Sequence, residues 1–154
     1  MLYSSERSLL KNISILVATS LIWMSSSLEA QSIGVDKKRA KQGDVVAQTQ
    51  LGVAYANGEG VAQNFTTALE WFRLAAEQGY GQAQYNLGSF YINGEALEED
   101  YVMAYMWFTL AAKQGNDGAK VNLKLISSYM TADQITQGEK FVSEWKPKKK
   151  NIPK

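Results

Sequence analysis

The chain has no cysteine and no histidine, and only two of its 154 residues are proline. Without cysteine there is no disulfide, no thiol nucleophile and no thiolate metal site. Without histidine the commonest general base and the commonest metal ligand are both missing. Any catalysis would fall to carboxylate, lysine, tyrosine or serine side chains. Charge of one sign is also scarce: 16 basic and 15 acidic residues leave a net charge of +1, too little to argue for a nucleic-acid partner. The imbalance that exists sits at one end, where KPKKKNIPK (146–154) carries five lysines and leaves the remainder net acidic. A lysine run between two prolines is expected to be a basic disordered tail over 147–154, with a weak contact to anionic lipid or an acidic partner as the alternative. Otherwise the composition is that of one globular domain, at 45% hydrophobic and 20% charged residues.

Long apolar runs are lacking too. Ile13–Met24 gives about twelve mostly apolar residues behind a polar start with Arg7 and Lys11, against roughly 20 needed to cross a bilayer. Ser25, Ser26 and Ser27 then lead to Leu28-Glu29-Ala30, the pattern of a signal peptide over 1–30 cut after Ala30. The expected product is exported, to the periplasm or secreted, with no membrane span after cleavage. An uncleaved anchor is the alternative.

What the chain does contain is repetition. ALEWFRLAAEQG (68–79) and AYMWFTLAAKQG (104–115) are one amphipathic phrase written twice, 36 residues apart. Aligned without a gap, Ala47–Gly79 and Ala83–Gly115 agree at sixteen of thirty-three positions. A period in the mid-thirties marks a solenoid of helix pairs. In each unit a first helix is marked by Ala47, Leu51, Ala54 and Tyr55 on one stripe, closed at Asn57-Gly58. Asn64, matched by Asp100, is placed to cap a second helix. There Ala68, Trp71, Phe72, Ala75 and Ala76 share a face, and Gly79 ends the pattern. Gly52 and Gly88 lie inside first helices, where glycine costs about 1 kcal/mol against alanine. Their matched phase predicts a close approach by the neighbouring helix and its tryptophan. Trp71, Phe72, Trp107 and Phe108 are expected in the core rather than stacked on a ligand.

A third unit begins normally with NDGAKVNLKLISSYM and then departs. Lys124 stands where the earlier units have glycine, and no Trp-Phe helix follows. Instead TADQITQGEKFVSEW opens on a Thr131/Gln134 capping box, with Ile135, Phe141, Val142 and Trp145 as its apolar side. Arrays need an atypical last element to close an exposed end. The expected organisation is a signal peptide at 1–30, an N-terminal partial repeat at 31–43, full repeats at 44–79 and 80–115, a partial repeat at 116–130, a capping helix at 131–146 and the tail at 147–154.

The pattern AQxxLGxxYxNGEG…NxxxALEWFRLAAEQG resembles the Sel-1-like repeat, a relative of the tetratricopeptide repeat. Both the A-x-x-x-L-G-x-x-Y and the A-x-x-W-F-x-x-A-A-x-x-G spacings hold in both units, and the likeness runs from Ala47 to about Met130. Two departures bear on the second loop: Ala96 replaces Gly60, and Glu98 and Glu99 replace Ala62 and Gln63. The resemblance implies an all-α fold, a short right-handed α-solenoid of antiparallel helix pairs with a C-terminal capping helix. It also implies a module that binds proteins or peptides and assembles complexes, with exported bacterial members in envelope, signalling or host-contact roles. It implies no catalytic residue.

In such a solenoid the first helices line the hollow. With Ala47, Leu51 and Tyr55 turned inward, the opposite stripe is Val46, Gln50, Val53 and Asn57, followed by Gln82, Asn86, Ser89 and Asn93 and then Lys120 and Asn122. Amide side chains can satisfy both the donor and the acceptor of an extended backbone. The candidate partner-binding residues are therefore Gln50, Val53, Gln82, Asn86, Ser89, Asn93 and Asn122, with Asn57 and Asn93 also placed as helix stops. No cofactor, metal or small-molecule substrate is expected. Two alternatives stand beside the adaptor: a self-associating structural subunit, and an exported hydrolase of the β-lactamase-like type linked to cysteine-rich relatives. For the latter, S-x-x-K occurs at Ser8–Lys11, within the signal segment, and at Ser143–Lys146, with no S-D-N or K-T-G companion. Glu98, Glu99 and Asp100 read as a solvated loop and N-cap, Asn64-Phe65-Thr66 as a cap rather than a glycosylation site, and Gly58-x-Gly60 as a turn rather than a phosphate loop.

Overall fold

A computed structural model describes residues 36–94 and 99–148, and every regular element among them is an α-helix. In chain order these are α1 (described over 36–41), α2 (Val45–Asn57), α3 (Phe65–Glu77), α4 (Gly81–Asn93), α5 (Tyr101–Lys113), α6 (Asp117–Ser127) and α7 (Ala132–Glu144). Residues 1–35, with the expected signal segment, residues 95–98, with Ala96 and Glu98, and residues 149–154 lie outside the described residues. The helix pairs α2–α3 and α4–α5 are the two repeated units, α3 packs on α4, and α5 packs on α6.

The boundaries follow from side-chain chemistry. Asn64 and Asp100 accept from the backbone N–H groups of Thr67 and Met103, each at 2.9 Å, as their N-cap position predicts. Asn116 does the same for Ala119 at 2.8 Å, and Thr131 and Gln134 close the expected capping box. Gly58 and Gly94 end the first helices with φ of 75° and 67°, a left-handed conformation that disfavours any residue with a Cβ.

Asp44 caps α2 with one oxygen, accepting from Val46 and Ala47 at 3.0 and 3.1 Å, while the other oxygen accepts from Arg39 Nη2 at 2.7 Å. The Ala47 N–H and the Arg39 guanidinium together hold its carboxyl below the usual range. A lowered folded-state value stabilises above the ordinary aspartate range near 3.9, and that contribution is lost as pH falls through the lowered value. Asp44→Ala is therefore expected to cost about 1 kcal/mol at neutral pH in urea unfolding. Asp44→Asn should keep the cap and soften the dependence on acid; acid unfolding identical to the parent's would contradict this.

The two conserved-phase aromatics of each second helix divide the packing between them. Trp71 leans back onto Ala40 of α1 and Ala47 and Leu51 of α2. Trp107, in the matching place, joins a cluster with Ala76, Ala83 and Leu87. The phenylalanines face forward. Phe72 meets Phe90 of the next unit edge-on at 5.4 Å between ring centroids, and Phe108 packs with Ala119 and Ile126 of α6. It is these phenylalanines, not the tryptophans, that need the helix glycines. A Cβ at Gly52 would collide with the Phe72 ring, and one at Gly88 would lie 2.8 Å from that of Phe108. The expectation of a tryptophan there is corrected: the indole belongs to the opposite, rearward side.

A second repeating device is buried and polar. Gln48 donates to Ala40 O at 3.0 Å and accepts from Gln78 Nε2 at 2.8 Å; 36 residues on, Gln84 donates to Ala76 O at 3.2 Å and accepts from Gln114 at 2.8 Å. Each amide thus ties a first helix to the end of the preceding second helix and to its own partner. Burial without such bonds would be costly. In the third unit the in-phase residue is Lys120, and it instead pairs with Asp117 at 2.7 Å on the surface.

Lys124 also explains how the array ends. It fills the glycine place against which a phenylalanine would seat, and the residue in phase with Phe108 is Glu144. The C-terminal helix α7 accordingly lies against α5 rather than stacking on α6. Gly138 makes this possible, because a Cβ there would stand 2.6 Å from the Tyr105 ring. Beyond it Trp145 meets Trp107 edge-on at 6.4 Å. Pro147 and Lys148, counted with the tail on sequence, are held against the end of α3: Lys148 N–H donates to Glu77 O at 2.7 Å, and its ammonium lies 2.8 Å from the Glu77 carboxylate.

Candidate partner-binding groove

The stacking sets α2, α4 and α6 side by side, and a groove runs across them as three linked cavities. The first, about 820 Å³, is lined by Gln50, Val53 and Gln82 with Val46, Thr49 and Tyr80. The second, about 400 Å³, takes Val53, Asn86 and Ser89 over a floor of Phe65, Phe72 and Phe90. The third, about 350 Å³, takes Ser89, Asn93 and Asn122 with Leu125 and Tyr129. Val53 and Ser89 each line two neighbouring cavities, so the groove is continuous. All seven residues singled out from the sequence face it.

Their polar groups are partly spent on one another. Asn116 donates to Gln82 Oε1 at 3.3 Å, and Gln82 donates to Asn86 Oδ1 at 3.2 Å. These bonds run one way, so the last amide, Asn86, keeps both N–H donors without a partner among the described residues. Ser89 donates to Tyr85 O at 3.2 Å, leaving its oxygen's lone pairs for an incoming donor. Asn57 stops α2 and donates to Glu59 at 2.6 Å.

The groove holds more apolar surface than its amides suggest. Val46 and Val53 are exposed at the α2 end, and Leu125 and Tyr129 at the α6 end, at 54% and 74%. Leu125 and Tyr129 are not among the candidates above, yet they stand one repeat beyond Ser89 and Asn93, so phase points to them.

Little else gathers chemistry. Among the described residues no three acidic side chains converge as a metal site. The hydroxyl of Ser143 donates to Lys140 O at 2.7 Å, and Lys146 is exposed beyond the helix end. No helix among the described residues is long and apolar enough to cross a membrane.

The comparisons with known proteins identify the repeat. A family model described as Sel1 repeat matches residues 45–80 and, again, 81–116. The chain carries two Sel1 repeats. Among solved structures, it is similar to a protective antigen present in uropathogenic Escherichia coli strains displaying an SLR fold, at 34% identity and a TM-score of 0.72. That likeness covers 80% of this chain but 26% of the antigen. A Sel1 repeat protein from Oxalobacter formigenes matches at 26% identity and a TM-score of 0.63, over 80% of this chain and 53% of its own. The chain thus spans about a quarter and about half the length of these relatives. No curated protein matches it. Sel1 repeats commonly serve as protein-interaction scaffolds, and this protein carries its two tandem units with α6 and α7 appended.

Proposed function

We propose that this protein is an exported, non-enzymatic adaptor or regulator that grips a segment of another protein along the α2–α4–α6 groove. One observation carries the proposal: a continuous groove with apolar side chains exposed at both ends and, between them, an amide chain that finishes on the unspent donors of Asn86. An extended backbone offers carbonyls to such donors and side chains to such ends. Export rests on the segment 1–30, whose apolar run and small-residue stretch read as a signal.

The test is a double substitution, Gln50→Ala/Asn86→Ala. Both side chains lie on the groove face, and alanine favours helix, so the fold should persist. Each lost hydrogen bond is worth about 1 kcal/mol, so partner recovery from the exported fraction should fall roughly tenfold or more. Unchanged recovery with a normal helical spectrum refutes the groove. A self-associating subunit is the second reading, favoured by Val121, which is 67% exposed on α6. Sedimentation of the mature chain separates the two.

A further inference from the structure

Resting on the groove proposal, we infer that the occupant is a basic, extended peptide segment whose cationic side chain enters the cavity at the α2 end. Among the described residues, those lining the three cavities include two charged side chains, Asp36 and Glu59, and no lysine or arginine. Both carboxylates line the same 820 Å³ cavity, and Tyr80 lines it with them. Two anions beside an aromatic ring form a receptacle for an ammonium or guanidinium group.

These charges are only partly matched locally. Arg39 is shared between Asp44, at 2.7 and 3.0 Å, and Asp36, at 3.7 Å, so one guanidinium serves two carboxylates. Glu59 accepts from the neutral amide of Asn57, which orients the carboxylate without neutralising it. On α6, Lys120 is tied to Asp117 at 2.7 Å. The matched segment is extended, apolar at both ends, and basic beside the end that meets Val46.

The experiment uses the whole mature protein and three fluorescent nine-residue peptides of alternating Val-X sequence, with X as Lys, Gln or Glu, read by anisotropy at about 50 and 500 mM salt. The Lys peptide should bind about tenfold tighter than the Gln peptide at low salt, and the advantage should shrink at high salt. Asp36→Asn/Glu59→Gln should erase the advantage and leave the Gln peptide's affinity unchanged. Glu70→Gln/Glu139→Gln removes the same charge from the outer helices and should preserve it. Equal binding of Lys and Gln peptides, both abolished by Gln50→Ala/Asn86→Ala, overturns the basic preference and leaves the groove standing. Peptide binding indifferent to Gln50→Ala/Asn86→Ala, or no binding by any peptide, overturns both. A dimer in sedimentation that the Lys peptide fails to displace also overturns the inference, by assigning the groove to a second copy.

Discussion

Phe108→Ala is expected to remove about 3–5 kcal/mol of stability, the usual loss for a fully buried aromatic. Phe108 has 0% exposure and fills the joint between the second unit and α6, with Gly88 beneath its ring, Tyr85 tilted at 5.8 Å, and Ala119 and Ile126 ahead. Against a total stability of about 5–15 kcal/mol for an ordinary domain, a loss of that size is a large share. Urea unfolding measures it. Hydrogen exchange should show α6 losing protection before α3, because α6 has no other packed neighbour of comparable extent. Phe108→Leu keeps most of the volume and should cost clearly less. Equal losses from both variants would mean that the buried volume is not what matters, and that only the flat ring fits over Gly88.

The second large effect comes from adding atoms rather than removing them. Gly52→Ala/Gly88→Ala should destabilise, although alanine is the better helix former. Alanine gains roughly 1 kcal/mol per site from propensity. Overpacking a rigid core costs about 1–3 kcal/mol per site, and neither Phe72, at 2% exposure, nor Phe108 has room to withdraw. The sites lie in different units, so their losses should largely add. A double variant that melts higher than the parent would show that the phenylalanine rings can shift, and would sink the docking account. Gly118 makes a useful contrast, since a Cβ there meets the edge of the half-buried Tyr85 ring at 3.1 Å and Asn116 Oδ1 at 3.4 Å.

Much of this was legible in the sequence, because period and phase are local signals. The helix pairs, the caps at Asn64, Asp100 and Thr131, and the stripe that faces the groove all follow from residues read 36 apart. Other features depend on which neighbour a side chain meets. Gln48 and Gln84 match between units, yet nothing in one dimension says that their amides bridge two other helices. The pairing of glycine with phenylalanine rather than tryptophan is similar. Adjacent residues of a helix point about 100° apart, so Trp and Phe serve opposite neighbours, and only packing assigns them. Lys124 announced that the third unit would break, but not that α7 would settle on α5.

The route of α7 alters how the molecule should come apart. An open stack can unzip pair by pair from either end. Here Trp145 and Pro147 rest on Gly79, and the Lys148 amide is bonded to Glu77 at the end of α3. The polypeptide therefore makes a closed circuit, out through α4, α5 and α6 and home to the first unit. Neither tandem pair can melt without unseating the other, so heating should give one sharp transition in place of a staircase.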